Sequence, residues 1–258
     1  MAAAAGSVIP GATGIILAAG LGSRLSIDGV GYLKPLLPVA GRALIHRTID
    51  SLVLAGCVKI VVVLGHEAET VRGAVLDGAP EAVDLVFETN PEYRLGNGVS
   101  VLAARAHVGA RAGGRFILMM TDHLVEPAMM DLAGRHAPPA DGATLLVDAK
   151  IGEVFDLDDA TKVQAERGLI ADIGKSIERY NCIDTGVFVC SPALMDALAE
   201  VHGERGDTSI SDGVARLAAA GRMAALDVGD ARWQDVDDLA MLRQAETAIA
   251  AGDLRLIR

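Results

Sequence analysis

The chain is poor in aromatic residues and in positive charge. Phe, Trp and Tyr make up 3% of its 258 residues, and 23 Lys and Arg stand against 34 Asp and Glu, a net charge of −11. A nucleic-acid surface needs clustered cations, and a single-strand binder also needs aromatic side chains on which bases stack. These shortages argue against a nucleic-acid partner, so any phosphate that the chain binds is expected to be held locally.

Cysteine and long apolar runs are also scarce. The three cysteines form neither a CxxC pair nor a secretory pattern, which favours buried thiols in a cytoplasmic protein. The longest apolar runs, such as IVVVLG (60–65), are too short to cross a bilayer, so no membrane insertion is expected. Residues 1–12 carry no basic stretch and are expected to form a flexible leader before a single domain over 13–258.

Short β-branched runs alternate with helical patterns through the first half of the chain. This alternation is typical of an α/β fold, here a Rossmann-like three-layer sandwich with a mixed, mostly parallel sheet between helices. The predicted strands are 13–18, 58–65, 83–88 and 115–120, and the predicted helices are 42–56 and 97–110.

After about residue 140 strand-like segments follow one another without a helix between them. They are 144–150, 161–175 and 182–190, with a hairpin signal at Arg167-Gly168. They predict a β-rich insert, about 140–190, over the open edge of the sheet. Helical patterns return at 192–202 and 208–220, and late strands over 223–238 precede a last helix to about residue 251.

The stretch LAAGLGSRL (17–25) directly follows the first predicted strand, where open α/β sheets bind ligands. Gly20 and Gly22 permit positive φ and lack the Cβ atoms that would hold a phosphate away from the backbone. Leu25 stands where a dinucleotide fingerprint needs a third glycine, and no GK[ST] follows, so neither that motif nor a P-loop is present. An ordinary tight turn remains the alternative.

Acidic residues follow two of the later strands. Asp122 comes directly after the fourth predicted strand, and Asp235 and Asp237 alternate to one side if WQDVDD (233–238) is extended. Such carboxylates suit Mg²⁺, which phosphoryl transfer commonly uses to align anionic reactants. The alternatives are a helix N-cap for Asp122 and a solvated loop for the later acids, with Asp238 expected to cap the last helix.

A third polar group opens the helix predicted over 97–110. Asn97, Gly98 and Ser100 lie where a side-chain amide and exposed N–H groups can read a base or ribose. Simple helix capping by Asn97 is the alternative.

The pairing of LAAGxGxRL with KPLLPVAG (34–41) resembles the signature of the nucleotidyltransferases that make nucleotide sugars and CDP-alcohols. The resemblance implies the nucleotide-diphospho-sugar transferase fold, with Arg24, Lys34 and Asp122 as catalytic residues. It also implies Mg²⁺ on Asp122 and on Asp235 or Asp237. The nucleotide-binding residues that it implies are Leu17, Ala18, Ala19, Gly20, Leu21, Gly22, Ser23, Arg24, Lys34, Gly65, Asn97, Gly98, Ser100 and Asp122.

Later motifs narrow the resemblance. TDH (121–123), DLDDATKVQ (156–164), IGKSIERYNCIDTGVF (173–188) and WQDVDD look like the CTP:inositol-1-phosphate cytidylyltransferases of bacteria and archaea. That resemblance covers about residues 13–250 and implies CTP and L-myo-inositol 1-phosphate as substrates and CDP-inositol as product. Relatives that act on phosphocholine, aminoethylphosphonate or sugar 1-phosphates share the first half, so these acceptors stay open.

The acceptor is expected to bind along the β-rich segment. A polyol phosphate needs cations for its phosphate and polar groups around its ring, whereas a choline cage needs aromatic faces that this chain poorly supplies. The candidates are His123, Lys162, Lys175, Asp184 and Thr185. The alternative for Lys162 and Lys175 is a solvated position on the surface, and the alternative for His123 is a local hydrogen bond.

The resemblance has one departure. Inositol cytidylyltransferases are often fused to a membrane synthase, and this chain shows no transmembrane pattern, so a stand-alone enzyme or one for another polyol phosphate is expected. A homodimer stays open. A catalytically silent nucleotide-binding regulator is the rival from another class, and a dehydrogenase is disfavoured by Leu25.

Overall fold

The computed structural model describes residues 11–20, 26–27, 30–80, 83–109 and 114–257. Its α-helices are α1 (Leu44–Leu54), α2 (Ala68–Asp77), α3 (Asn97–Ala103), α4 (Pro127–Arg135), α5 (Ala193–Arg205), α6 (Ile210–Ala219) and α7 (Leu239–Ala251). Its strands are β1 (Thr13–Ala18), β2 (Ser26–Ile27), β3 (Val30–Gly31), β4 (Pro38–Val39), β5 (Arg42–Ala43), β6 (Lys59–Leu64), β7 (Asp84–Thr89), β8 (Phe116–Met120), β9 (His123–Val125), β10 (Ala143–Asp148), β11 (Lys162–Glu166), β12 (Leu169–Gly174), β13 (Cys182–Cys190), β14 (Met223–Asp227) and β15 (Trp233–Asp235).

A mixed nine-stranded sheet forms the centre of the molecule. Its order is β10-β14-β12-β11-β13-β8-β1-β6-β7, and β8, β1, β6 and β7 are parallel. Strand β13 joins β8 in the antiparallel sense. The predicted α/β fold with a mixed sheet is confirmed, but the sheet is less parallel than predicted, since four of its described strand pairs are parallel and five are antiparallel.

The β-rich segment continues this sheet. Strand β13 pairs with β8 on one side and with β10 on the other, so both strands extend the sheet and do not lie over its edge. The hairpin β11–β12 pairs with β13 and with β14, which itself pairs with β10, so these strands close into a ring. The hairpin turns at Arg167 (φ 53°) and Gly168 (φ 80°), where the sequence predicts it.

Helices cover both faces of the sheet because successive buried side chains of the central strands point to opposite faces. Ile16 of β1 packs in a core with α1, α2 and α4, whereas Ile15 packs in a second core with α3, α5 and α6. A third, smaller core joins α7 to Leu37, Leu124 and Val236, which lie beside the candidate site. The three layers follow from this alternation.

Some boundaries differ from the predictions. Helix α3 ends at Ala103 and gives way to a 3₁₀ turn over Arg105–His107, so the helix predicted to residue 110 is shorter. Of the leader predicted over 1–12, residues 1–10 lie outside the described residues, and Ala12 already belongs to the core at 1% exposure. Within the described ranges, no helix combines the length and apolar character needed to cross a bilayer.

Candidate active site

Three side chains from distant parts of the sequence meet at the carboxyl edge of the parallel strands. The ammonium group of Lys34, at the start of a 3₁₀ turn, lies 2.5 Å from Oδ2 of Asp122. It also forms an ion pair with Oδ1 of Asp237. Asp122 follows β8 and Asp237 follows β15, so one cation is shared by two carboxylates whose side chains are only 23% and 15% exposed.

The second carboxylate oxygen of Asp122 accepts a hydrogen bond from a histidine. Nδ1 of His123 donates to Oδ1 of Asp122 at 2.7 Å, which satisfies the local hydrogen bond considered for His123. The imidazole also stacks on the indole of Trp233, with ring centroids 5.8 Å apart and planes 5° apart. Asp235 lies directly opposite His123 in the antiparallel pair β9–β15.

The charges in this site are strongly coupled. Burial alone would raise the pKa of Asp122, but the hydrogen bond from His123 and the charges of His123 and Lys34 hold it well below its usual range. Burial works against the imidazolium, yet Asp122 raises the pKa of His123 to about 9, helped by Asp235 and Asp184. Burial likewise opposes the ammonium, and its two acids still raise the pKa of Lys34. The protein therefore holds two cations among its acids.

Asp237, and not Asp235, is the acid that converges with Asp122. Asp235 faces His123, and burial followed by the nearby Asp237 and Asp122 charges raises the pKa of Asp235. Asp238 accepts from the amide of Met241 and caps α7, as the sequence predicts. Helix α4 has Glu126 at its N-cap, so capping does not explain Asp122.

The donor set at this point suits a magnesium ion. Magnesium binds one or two protein carboxylates, keeps several waters and takes its other ligands from substrate phosphates. Asp122 and Asp237 already converge on one cation, the Lys34 ammonium, and provide such a pair. Across the described residues no group of three or more His, Cys, Asp or Glu has the arrangement of an all-protein metal site.

Ala19 and Gly65, which are predicted to bind the nucleotide, lie at the ends of β1 and β6. The carbonyl of Ala19 accepts from the amide of His66, and a Cβ on Gly65 would lie 2.5 Å from Cβ of Tyr93. Gly20 does not adopt positive φ, and a Cβ there would meet no described protein atom within 4 Å. The conformational reason given for Gly20 is therefore wrong, whereas its openness to a ligand stays a prediction.

The predicted roles of Leu21, Gly22, Ser23 and Arg24 fall on residues 21–25, which lie outside the described residues. The carbonyl of Leu17 accepts from the hydroxyl of Thr121, a contact that ties the end of β1 to the segment carrying Asp122.

The residues that open α3 have packing roles. Oδ1 of Asn97 accepts from the amide of Ile210 and so holds the first turn of α6, not its own helix. A Cβ on Gly98 would lie 2.8 Å from the Thr208 carbonyl, and Ser100 is 5% exposed and hydrogen-bonded to Asn90. The Ser100 hydroxyl is therefore held inside the protein, and its role in reading a base stays a prediction.

The acceptor candidates divide into two sets. Lys162 donates to the carbonyls of Asp158 and Ala160, while Lys175 pairs with Asp159 at 2.5 Å and keeps 58% of its side chain exposed. Both lysines therefore contact the segment 158–160, which carries two aspartates. They remain candidates for binding an acceptor phosphate.

Asp184 and Thr185 differ although they are neighbours. Asp184 is part-buried, accepts from the amide of Gly186 at 2.7 Å and lies close enough to His123 to influence its charge. Thr185 is fully buried and its hydroxyl donates to the Leu146 carbonyl at 2.8 Å. Its hydroxyl is therefore bonded within the sheet, and the acceptor role of Thr185 stays a prediction.

Sequence reasoning missed Trp233 and its partner Asp148. Nε1 of Trp233 donates to Oδ2 of Asp148 at 2.9 Å, and Asp148 is 4% exposed. Trp233 is the single tryptophan of the chain and stands two residues before Asp235 in a strand, so alternation places both on one side. That spacing was the available signal.

Comparisons with known proteins identify the family of the chain. A family described as "MobA-like NTP transferase domain" matches residues 14–219. A bifunctional IPC transferase and DIPP synthase of Rubrobacter xylanophilus is 35% identical over 242 residues, which cover 91% of this chain and 51% of that protein. The CMP-5'-(3-aminopropyl)phosphonate synthase of Streptomyces rubellomurinus is 30% identical over 90% of this chain and 38% of its own length.

A solved structure is similar over nearly the whole chain. The inositol-1-phosphate CTP transferase from T. maritima superposes with a TM-score of 0.80 at 25% identity, covering 95% of this chain and 99% of that one. The chain spans about half the length of the bifunctional curated relatives that it matches. Because the family match covers most of the sequence and the fold agrees, the chain belongs to the family of MobA-like NTP transferase domains, the nucleotidyltransferases that the glycine loop and KPLLPVAG resemble.

Proposed function

We propose that this protein is a cytidylyltransferase that joins CTP to a phosphorylated polyol, with L-myo-inositol 1-phosphate as the acceptor, and releases pyrophosphate. The observation that carries the proposal is the convergence of Lys34, Asp122 and Asp237 at the carboxyl edge of the parallel strands. Nucleotidyl transfer needs two anionic reactants aligned and their charge neutralised, and this site offers cations and paired carboxylates for that purpose.

The choice of substrates rests on relatives. The protein from T. maritima is an inositol-1-phosphate CTP transferase, and the relative from Rubrobacter xylanophilus carries the name IPC transferase. Both similarities extend over nine tenths or more of this chain, including β11–β13, where the acceptor is expected to bind. We therefore infer the acceptor of this chain from its similarity to these relatives across β11–β13.

In the proposed reaction an acceptor phosphate oxygen attacks the α-phosphorus of CTP. The new P–O bond forms as the bond to pyrophosphate breaks, and the acceptor phosphate is already ionised near neutral pH, so no general base is required. Lys34 stabilises negative charge on the transferred phosphoryl group and on the leaving pyrophosphate. A magnesium ion on Asp122 and Asp237 would act as a Lewis acid at the phosphates.

The remaining residues orient these groups. His123 holds one oxygen of Asp122, which leaves the other directed at Lys34. Lys162 and Lys175 supply the cations for the acceptor phosphate, and Asp184 supplies a polar group for a ring hydroxyl. We also propose a cytoplasmic enzyme of phospholipid biosynthesis, since a CDP-alcohol is an activated donor for headgroup transfer; a homodimer is compatible with this site.

Pyrophosphate release tests the proposal. The purified protein with Mg²⁺ is given each of CTP, UTP, GTP and ATP in combination with inositol 1-phosphate, phosphocholine, glucose 1-phosphate or 2-aminoethylphosphonate. CTP with inositol 1-phosphate is expected to give the highest kcat/KM and a product with the mass of CDP-inositol. CTP binding without turnover on any acceptor would instead identify a regulator.

A second candidate acceptor is an aminoalkyl phosphonate. It is favoured by the 30% identity to the CMP-5'-(3-aminopropyl)phosphonate synthase over 90% of this chain. A primary ammonium needs a carboxylate beside the phosphonate, and Asp159 and Asp184 lie in the same segment as the two lysines. A higher kcat/KM for 2-aminoethylphosphonate than for inositol 1-phosphate would decide for this alternative.

A further inference from the structure

Four side chains outside the reacting groups form a continuous series of contacts that ends on Asp122. We call Lys150, Asp148, Trp233 and His123 the positioning column. The column starts at the end of β10 in the central sheet and crosses to the small sheet β9–β15. The acids of the site lie on or beside that small sheet, so the column connects them to the core of the molecule.

The first end of the column is firmly fixed. Asp148 accepts from the backbone amide of Lys150 at 2.7 Å, from Nζ of Lys150 at 2.8 Å and from the indole of Trp233 at 2.9 Å. Nζ of Lys150 also donates to the carbonyls of Gly229 at 2.5 Å and Ala231 at 3.2 Å. A buried carboxylate is costly unless it is paired in this way, so the contacts define one position for the indole.

The other end holds an imidazole between two surfaces. The indole of Trp233 lies parallel to the His123 ring, within 5°. On Gly186 (φ 74°) a Cβ would come within 2.5 Å of Cδ2 of that ring, so only glycine allows it to lie there. Confined in this way, the imidazole keeps Nδ1 at 2.7 Å from Oδ1 of Asp122.

We infer that Trp233 is a positioning residue for the metal-binding carboxylate of the proposed reaction. Held by Asp148, it fixes His123, and His123 fixes the direction of Asp122 toward Asp237 and Lys34. Residues that orient metal ligands in this way affect metal affinity or activity by about tenfold to a hundredfold when they are changed. The inference rests on the proposed function for the metal, but it concerns Trp233 and Asp148, to which sequence reasoning gave no role.

The test compares metal binding in matched variants of the full chain. Asp148→Asn places an amide N–H₂ group against the donors of Lys150, Trp233→Phe keeps the stacked ring but removes its N–H, and Trp233→Ala removes both. The control is Thr144→Val on the same strand, which removes a buried hydroxyl contact to Nε2 of His136 at the far end of β10. Binding of Mn²⁺ in the presence of CTP is followed by electron paramagnetic resonance.

Mn²⁺ affinity is expected to fall about tenfold or more in Asp148→Asn and Trp233→Ala, and by less in Trp233→Phe. Thr144→Val should match the wild type. The kcat should fall in the same order, with the KM for the acceptor changed less than twofold. Because Trp233 is the single tryptophan, Asp148→Asn should also shift the intrinsic fluorescence emission.

Equal Mn²⁺ affinity in the wild type, Asp148→Asn and Trp233→Phe would overturn the inference, as would failure of the wild type to bind Mn²⁺ with CTP. The proposed function fails separately. If the variants rank as expected but the wild type releases no pyrophosphate with any acceptor, the positioning role stands and the cytidylyltransferase assignment does not.

Discussion

Lys34 illustrates how one residue can serve two needs of a phosphoryl-transfer site. Its ammonium lies between Asp122 and Asp237, residues 88 and 203 positions away in the sequence. Without a cation at this point the two carboxylates would repel each other across a part-buried site. The same cation is proposed to neutralise charge on the transferred phosphoryl group, so Lys34 has two structural partners and a proposed chemical role.

Replacing Lys34 with Met should lower kcat by about two orders of magnitude, because loss of one charge-stabilising donor typically costs this much. Steady-state pyrophosphate release measures the effect, and circular dichroism checks the fold. The matched control is Lys59→Met, since Lys59 begins β6 at the opposite edge of the sheet and contacts His107. A Lys34→Met enzyme as active as the control would remove Lys34 from the mechanism.

Asp184 should make stability depend on pH. Burial raises its pKa from 3.8 to about 6, against the hydrogen bond from Gly186 and the His123 charge. The folded state therefore binds more protons than the unfolded chain between these values, and stability falls as pH rises through the window. Asp184→Asn should raise the free energy of unfolding by roughly 1 kcal/mol or more at pH 7.5 and by less at pH 4.

Urea denaturation at the two pH values measures this difference. Asp172→Asn, at an exposed position on β12, is the control. The cause assigned to Asp184 is refuted if its variant gains no more stability from pH 4 to pH 7.5 than the control does.

At the scale of elements, the small sheet β9–β15 positions the three acidic residues of the site. It places Asp235 opposite His123, Asp122 directly before β9 and Asp237 two residues after the end of β15. Helix α7 begins at the Asp238 cap and packs in the core that includes Leu37, Leu124 and Val236. The segments carrying Lys34, Asp122 and Asp237 are therefore neighbours of one apolar cluster, which explains why they meet.

The β11–β12 hairpin offers a test of turn chemistry. Arg167 is exposed and has φ 53°, a conformation that costs most residues about 1–2 kcal/mol but suits Asn. Arg167→Asn should raise the free energy of unfolding by roughly 0.5 kcal/mol, because Asn-Gly is the preferred pair in such turns. Thermal denaturation measures this, with Arg167→Ala as control; equal melting temperatures in the two variants would contradict the turn assignment.

At the scale of the whole molecule, the site depends on several segments packing together. A ligand that binds the assembled site but not the unfolded chain stabilises the fold by mass action. CTP with Mg²⁺ at about one hundred times its Kd should add about 2.7 kcal/mol and raise Tm by roughly 5–10 °C.

Differential scanning fluorimetry follows this shift, and Asp122→Asn serves as the matched variant because it keeps the size of the side chain while removing a charge. Its shift with CTP and Mg²⁺ should be smaller than that of the wild type. An unchanged Tm of the wild type at millimolar CTP would contradict nucleotide binding at this site.

The sequence by itself determined the layered fold and the candidates for the site. The short apolar runs of β1 and β6 and the Arg167-Gly168 turn are local signals, and each has its predicted structure. Lys34 and Asp122 were chosen because each belongs to a short motif, KPLLPVAG for Lys34 and TDH for Asp122. Such features depend on neighbouring residues alone, so they can be read along the chain.

Only the tertiary structure decided which candidates meet. Asp237, and not Asp235, reaches Lys34 because β15 pairs with β9 in a register that places Asp235 opposite His123. Thr185 and Ser100 are polar in sequence but buried by strands and helices that arrive from elsewhere. Asp148 was invisible because its importance lies in a contact 85 residues away, and contacts of that kind exist only once the chain has packed.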